Sequence, residues 1–307
     1  PRFPPNHLQS PHRPEDLHTT MMSCCGNRDE KEDADAADAG AKGTAEPPAK
    51  DTGDGAAKAP GPEDMTAAKM LYVKLKAKWD SGVEGCPTSV DELKGALAGG
   101  MSKDWAAIDG LRHKYFLWNG DTETCSGVYV FFNQEKLDAY MASDLFASHE
   151  KMPHFSSVEA QQIDVMSGTE LSIEKTAWAN TPPTADDVGK AFMLIVEIKM
   201  KYDTGVEGLP TNEGDLRGFM AAAGMGYPAT FGGLDGLRGK YFGYKTEGDK
   251  CYGFYTFTDR ASLDTYMASE LFTKQGEPPH IDELTYTIHE VMLGTELTMD
   301  LGAWTGN

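Results

Sequence analysis

Long apolar runs are missing from this 307-residue chain. The longest, residues 191–196, falls far short of the roughly 18–20 residues of a membrane-spanning helix, so no span is expected. Basic residues are scarce: 28 Lys+Arg face 48 Asp+Glu, a formal net charge of −20. That balance argues against nucleic acid, whose phosphates call for Lys/Arg patches, and against an anionic membrane surface. The five cysteines are too few for a disulfide scaffold; Cys24 and Cys25 are adjacent, and Cys86, Cys125 and Cys251 are scattered. A reducing, cytoplasmic location is the expectation. There is no Cys-x-x-Cys and no His-Glu-x-x-His. The glycines at 224, 226, 232 and 233 lack the Lys-Ser/Thr of a phosphate loop and the strand–helix context of a dinucleotide fold. No metal and no cofactor is therefore expected, and no Ser-His-Asp set can be assembled.

Residues 26–64 contain no Leu, Ile, Val, Phe, Tyr or Trp. Such a segment buries too little apolar surface to offset its ordering entropy, so residues 1–64 read as a disordered acidic tail. Asp33, Asp35 and Asp38 resemble a calcium loop only superficially, because the Gly and Glu that an EF-hand needs are absent. Met21-Met22-Ser23-Cys24-Cys25 looks like a translation start, with residues 1–20 as a leader that lacks signal-peptide character. Cys24 and Cys25 are either free thiols or a site of S-acylation.

What dominates the remainder is a repeat. Met70-Leu-Tyr-Val-Lys-Leu-Lys returns as Met193-Leu-Ile-Val-Glu-Ile-Lys, and Gly110-Leu-Arg-His-Lys-Tyr-Phe as Gly236-Leu-Arg-Gly-Lys-Tyr-Phe. Leu137-Asp-Ala-Tyr-Met-Ala-Ser-Asp-Leu-Phe returns as Leu263-Asp-Thr-Tyr-Met-Ala-Ser-Glu-Leu-Phe, and Gly168-Thr-Glu-Leu with Trp178 as Gly294-Thr-Glu-Leu with Trp304. Two copies of one long unit imply paired domains, residues 65–180 and 188–307, joined by the stiff, short linker 181–187.

Each copy reads as strand, helix, strand, strand, helix, strand. Leu71, Val73 and Leu75 alternate with Tyr72, Lys74 and Lys76. Thr88 and Ser89 precede Asp91 and Glu92 like a capping box. Residues 111–118 and 127–132 are strands flanking an Asn119-Gly120-Asp121 turn. Asn133 caps a helix with the face Leu137, Tyr140, Met141 and Leu145, and residues 161–166 form the last strand. The order βαββαβ is the ferredoxin-like split motif. Its helices cover one sheet face, and the second copy should cover the other, giving an internal pseudo-dimer of the α+β class.

The segments Gly-Leu-Arg-x-Lys-Tyr-Phe, Gly127-Val-Tyr-Val-Phe and the Leu137 helix together resemble the YdhR-type monooxygenase-like proteins. These lie within the antibiotic-biosynthesis-monooxygenase superfamily of dimeric α+β barrels. The resemblance covers about residues 68–178 and 191–304. It implies a tandem dimeric α+β barrel and oxygenase chemistry without metal or flavin. Where the superfamily often has a helix histidine, this chain has Tyr140 and Tyr266.

The expected function is a cofactor-independent, monooxygenase-like oxidoreductase. Its substrate would be a small apolar aromatic or polyketide-like molecule in a sheet–helix cavity. The alternatives are a non-catalytic module binding a small ligand or a protein and, more remotely, a haem-handling relative using His113. His113, Tyr115 and Tyr140 are the candidate catalytic residues, and Tyr129, Glu84, Tyr241 and Tyr266 the candidate substrate-binding ones. Histidine titrates near neutral pH, and buried tyrosines pair an apolar body with a hydroxyl. The competing reading is packing: His113 sharing a strand face with Leu111, Tyr115 and Leu117, and strand aromatics filling the core. Copy two has Gly239 in place of His113, so the two cavities are not expected to be equivalent. Arg112, Lys114, Arg238 and Lys240 should pair with carboxylates or hold an acidic ligand group. His154 and His280 follow prolines and suggest structural turns, and His289 has Ile163 as its counterpart. The loop carrying Gly82, Gly85 and Pro87 is a rigid connector or a lid, with Glu84 and Glu207 at the cavity mouth.

Overall fold

The computed structural model describes residues 68–97, 105, 108–165, 190–212, 214–216, 218, 231, 233–245 and 249–292, apart from the side chains of Arg112 and Arg238. The tail, the 181–187 linker, Met166 and the two Gly-Thr-Glu-Leu segments lie outside these residues.

In the first half β1 (Lys69–Ala77) leads to α1 (Val90–Ala96), then β2 (Leu111–Asn119), β3 (Thr124–Phe131), α2 (Gln134–Met141), α3 (Asp144–Ser148), a one-turn 3-10 helix (His149–Lys151) and β4 (Phe155–Val165). The second half has β5 (Phe192–Met200), β6 (Leu237–Lys245), β7 (Lys250–Phe257), α4 (Arg260–Met267), α5 (Glu270–Thr273) and β8 (Ile281–Val291). All sheet pairings are antiparallel, and the strands close one barrel in the order β1-β3-β2-β8-β5-β7-β6-β4.

Local chemistry accounts for the helix starts. Ser89 accepts the Glu92 N–H, while the Thr88 N–H and hydroxyl both donate to the Glu92 carboxylate, so the capping box is offset by one residue. Asn133 accepts the Lys136 N–H, as expected. The face running from Leu137 to Leu145 is not one helix. Ser143 donates to the Tyr140 carbonyl at 2.6 Å and caps a new helix by accepting the Phe146 N–H, so the chain breaks at Ala142. The last strand of the first half begins at Phe155, earlier than its apolar pattern, because its first residues pair with β1 while staying largely exposed.

Period-two patterning holds only in part, since the central strands are covered on both faces. Met70, Tyr72, Val128, Val130, Met193, Ile195 and Phe254 belong to an inner cluster to which all eight strands contribute. Leu71, Val73 and Leu75 pack outward beneath the first-half helices, and Leu194 and Val196 beneath those of the second half. A register shift between Leu111 and His113 corrects the expected face. Leu111 joins the helix-side cluster, whereas Tyr115 and Leu117 join the inner one.

The halves meet along two short seams. On one, Leu117 pairs with Val291 and Trp118 with Glu290; on the other, Asp164 pairs with Tyr244 and Val165 with Gly243. Asn119 Nδ2 donates to the Ile288 carbonyl (3.1 Å), Lys94 pairs with Glu290 (2.5 Å), and Tyr252 donates to Gln161 (3.1 Å) across the same boundary. Inside, Tyr72 meets Phe254 edge-on at 5.8 Å. The second seam depends on a glycine: a Cβ at Gly243 would lie 2.3 Å from Ile163 Cγ2.

Gly243→Ala should therefore destabilise the chain by about 1–3 kcal/mol through overpacking. Ile163→Ala alone should cost about 2–5 kcal/mol through a cavity. The double variant should cost clearly less than the sum in denaturant melts, because each change removes the other's defect. Strict additivity would mean that the two positions do not touch.

Candidate functional site

The helix side of the first half holds a small cleft, partly open to solvent. Leu75, Leu93, Leu97, Phe116, Phe155 and Met292 give it apolar walls. Its polar inventory is Lys114, Tyr129, His149, His154, Ser126 and the Trp105 indole. Met292 comes from the end of β8, in the second half, and its N–H donates to the Phe116 carbonyl at 2.9 Å.

Strand alternation after the β2 register shift turns Lys114 to the helix side. The lysine is 2% exposed, and its Nζ lies 3.7 Å from the Tyr129 ring centroid, 3.8 Å from Phe116 and 4.3 Å from Trp105. Among the described residues no carboxylate pairs with it, against the ion pairing expected of this position. Burial holds its pKa well below the usual lysine range; the three ring faces act in the opposite sense once the amine is charged.

Tyr129 reaches Lys114 because Gly127 precedes it by two residues. A Cβ at Gly127 would sit 2.6 Å from Tyr129 Cε2, so the ring lies across bare backbone. The Tyr129 hydroxyl is 3.3 Å from His149 Nε2, and His149 Nδ1 is 2.8 Å from the Phe146 carbonyl. A carbonyl only accepts, so Nδ1 carries the proton and Nε2 accepts from Tyr129. Burial, assisted by nearby Lys114, lowers the His149 pKa to about 4; burial alone takes His154 to about 4. Burial also pushes Tyr129 well above the ordinary phenol range and Tyr140 up to about 12, so both remain protonated donors. Tyr129 and Tyr140 lie near enough to perturb each other's ionisation, and the Trp105 N–H acts on both against the effect of burial. Yet Trp105 Nε1 and the Tyr140 hydroxyl are buried without a hydrogen bond, as is His154 Nδ1.

The structure disperses the other residues singled out in the sequence. His113 stacks on Tyr115 (6.4 Å) and packs against Tyr241 (5.9 Å), and both tyrosines belong to the inner cluster. Tyr129 lines the cleft, and Tyr140 packs behind it at 5.2 Å. Tyr266 occupies the corresponding place in the second half, 5.4 Å from Tyr255. Glu84 is exposed in its loop, where Gly82 and Gly85 take positive φ, and does not line the cleft. His289 is buried on β8, 2.9 Å from the Thr287 hydroxyl. Sequence reasoning missed Trp105, His149 and the apolar setting of Lys114. The available signal was a lysine between aromatics on a strand, repeated as Lys240. Among the described residues no three His, Cys, Asp or Glu side chains converge as metal ligands.

His149, His154 and His289 each have a folded pKa of about 4 against 6.5 when unfolded. Below pH 6.5 the unfolded chain binds the extra protons, so stability is lost as pH falls from about 6.5 to about 4, on the order of 3 kcal/mol per histidine. The melting temperature should fall steeply over that window, and His149→Gln should flatten the slope. A constant melting temperature from pH 7 to 4.5 would contradict burial of the neutral rings.

Neither a family model nor a curated protein matches the chain. Solved structures do. One is a Fusobacterium nucleatum protein called a "putative monooxygenase", with TM-score 0.51 and 12% identity, covering 74% of this chain and 93% of that one. A Lactobacillus acidophilus protein of the same description has TM-score 0.48, 10% identity and coverages of 73% and 93%. An anthrone oxidase-like protein has TM-score 0.45, 14% identity and coverages of 74% and 91%. The first likeness shows the fold: the chain is an α+β protein of the dimeric α+β barrel type.

Proposed function

We propose that the first-half cleft binds a small aromatic or polyketide-like molecule with an acidic hydroxyl or enol, and that the protein acts on it as a monooxygenase-like oxidoreductase. The observation that carries this reading is Lys114, an amine buried against three aromatic rings in an apolar cleft with no carboxylate partner among the described residues. An acidic ligand supplies the missing counter-charge. If the resting amine is neutral, it takes the ligand's proton; if it is charged, it receives the ligand as an anion. Both routes end at the same ammonium–anion pair, with the ring faces around the ammonium.

The Trp105 N–H, which lines the cleft without a hydrogen bond, is the donor placed to help Lys114 hold that anion, while Tyr129 gives its hydroxyl proton to neutral His149 and is fixed by it, with Tyr140 packed behind. A carbanion of this kind is electron-rich enough to react with dioxygen. Addition to carbon gives a peroxide, which Lys114 protonates. Loss of water from a CH–OOH carbon then leaves C=O. One oxygen atom enters the product and the other leaves as water, so the substrate supplies all the electrons and the reading needs no external reductant or resident cofactor. The name of the anthrone oxidase-like structure is in keeping with such a substrate class.

The test is oxygen uptake, above the rate without protein, with a panel of anthrones and hydroquinones. Lys114→Met should lower turnover by on the order of 10²–10⁴-fold, as for a positioned acid–base group. His113→Ala is the discriminating arm, because loss of turnover there would move the reaction to the inner cluster around Tyr115 and Tyr241. Ligand binding without oxygen uptake across the panel would leave a binding module and overturn the oxidoreductase reading.

A further inference from the structure

The repeat supplies an internal comparison. Lys240 corresponds to Lys114 and is likewise buried, against Phe231, Phe242 and Tyr255. Among the differences in its surroundings, two bear on the hydrogen bonding of the amine and the tyrosine hydroxyls. Phe231 stands where the first half has Trp105, and Gln275 where it has His149. Lys240 Nζ donates to the Tyr255 hydroxyl at 2.8 Å. Gln275 Nε2 donates to the Tyr266 hydroxyl at 2.7 Å and to Tyr255 at 3.3 Å. Both tyrosines therefore spend acceptor capacity on neighbouring donors, and the atom left without a partner in this set is an acceptor, Gln275 Oε1.

The first half has the opposite imbalance. Replacing phenylalanine by Trp105 adds an N–H, and replacing glutamine by His149 removes the amide donor. Trp105 Nε1 and the Tyr140 hydroxyl are left without hydrogen-bond partners, and the Lys114 amine lies over ring faces. Buried donors without acceptors each cost free energy that a ligand bearing an oxyanion would recover.

Building on the function proposed above, we infer that the chain carries one ligand site, in the first half, and that Trp105 and His149 open it for an aryl oxyanion while Phe231 and Gln275 close its second-half counterpart. Gln275 occupies with its own amide the hydroxyls that a ligand would otherwise engage. The selectivity at the open site follows from the donor surplus: an arenol, which can become an acceptor-only anion, is favoured over a neutral arene of the same shape.

The experiment is calorimetric titration of the full chain with 1-naphthol under argon, with the absorbance of the bound probe recorded at pH 7. One naphthol per chain is expected, absorbing as naphtholate. Naphthalene should bind about tenfold or more weakly. Lys114→Met should weaken binding by a similar factor and abolish the naphtholate band. Lys240→Met should leave stoichiometry, affinity and spectrum unchanged. Because a buried lysine variant can fail to fold, the gain-of-site variant Phe231→Trp/Gln275→His provides the second arm, and its stoichiometry should rise to two. Two naphthols on the unaltered chain, or loss of binding in a folded Lys240→Met, would overturn the single-site inference and leave the proposed function standing. Absence of any naphthol binding would overturn both, and binding without a naphtholate band would remove Lys114 as the proton acceptor.

Discussion

Barrel closure is the constraint on which the rest of the structure depends. Each half has helices over one sheet face and leaves an apolar face with two strand edges. Among the described residues those edges are joined by two residue pairs per seam, Leu117–Val291 with Trp118–Glu290, and Asp164–Tyr244 with Val165–Gly243. So few ladder bonds cannot carry the association, because a net hydrogen bond contributes about 1 kcal/mol. The inner cluster, from Met70 and Tyr72 through Phe254 to Val291, supplies the driving force, and the seams set the register. Gly243 shows how closely the two are coupled, since the seam forms only where Ile163 has room.

Closure also creates the cleft's chemical character. Because the strands are covered on both faces, a lysine on β2 is buried and lies against aromatic rings. The same holds for Lys240, which the chain satisfies internally through Tyr255. A dimer of identical chains would repeat every substitution in both clefts. A single chain with two copies is free of that symmetry, and the pairs Trp105/Phe231 and His149/Gln275 use the freedom.

Much of the fold was legible in the residues. The repeat, the βαββαβ order, the Asn133 cap and the need for a second layer all follow from local patterns that tertiary packing reinforces. The failures have physical causes. The register shift after Leu111 reverses the strand face, which periodicity cannot anticipate. That reversal sends His113 and Tyr115 toward the barrel interior and Lys114 to the cleft. The break at Ala142 depends on one serine hydroxyl serving two partners. His149 was invisible because its importance comes from a contact with Tyr129, twenty residues away, and nothing in its own neighbourhood marks it.

Met292 ties the cleft to the rest of the molecule. Its backbone bonds to Phe116 just beyond the Leu117–Val291 seam, and its side chain forms part of the first-half cleft wall. Any occupant of the cleft therefore rests on the strand that fastens the barrel. Opening that seam would strip away one wall of the site, so occupancy and closure favour each other reciprocally. Cleft filling thus acts as a latch on the junction between the halves, its grip rising with the logarithm of ligand concentration.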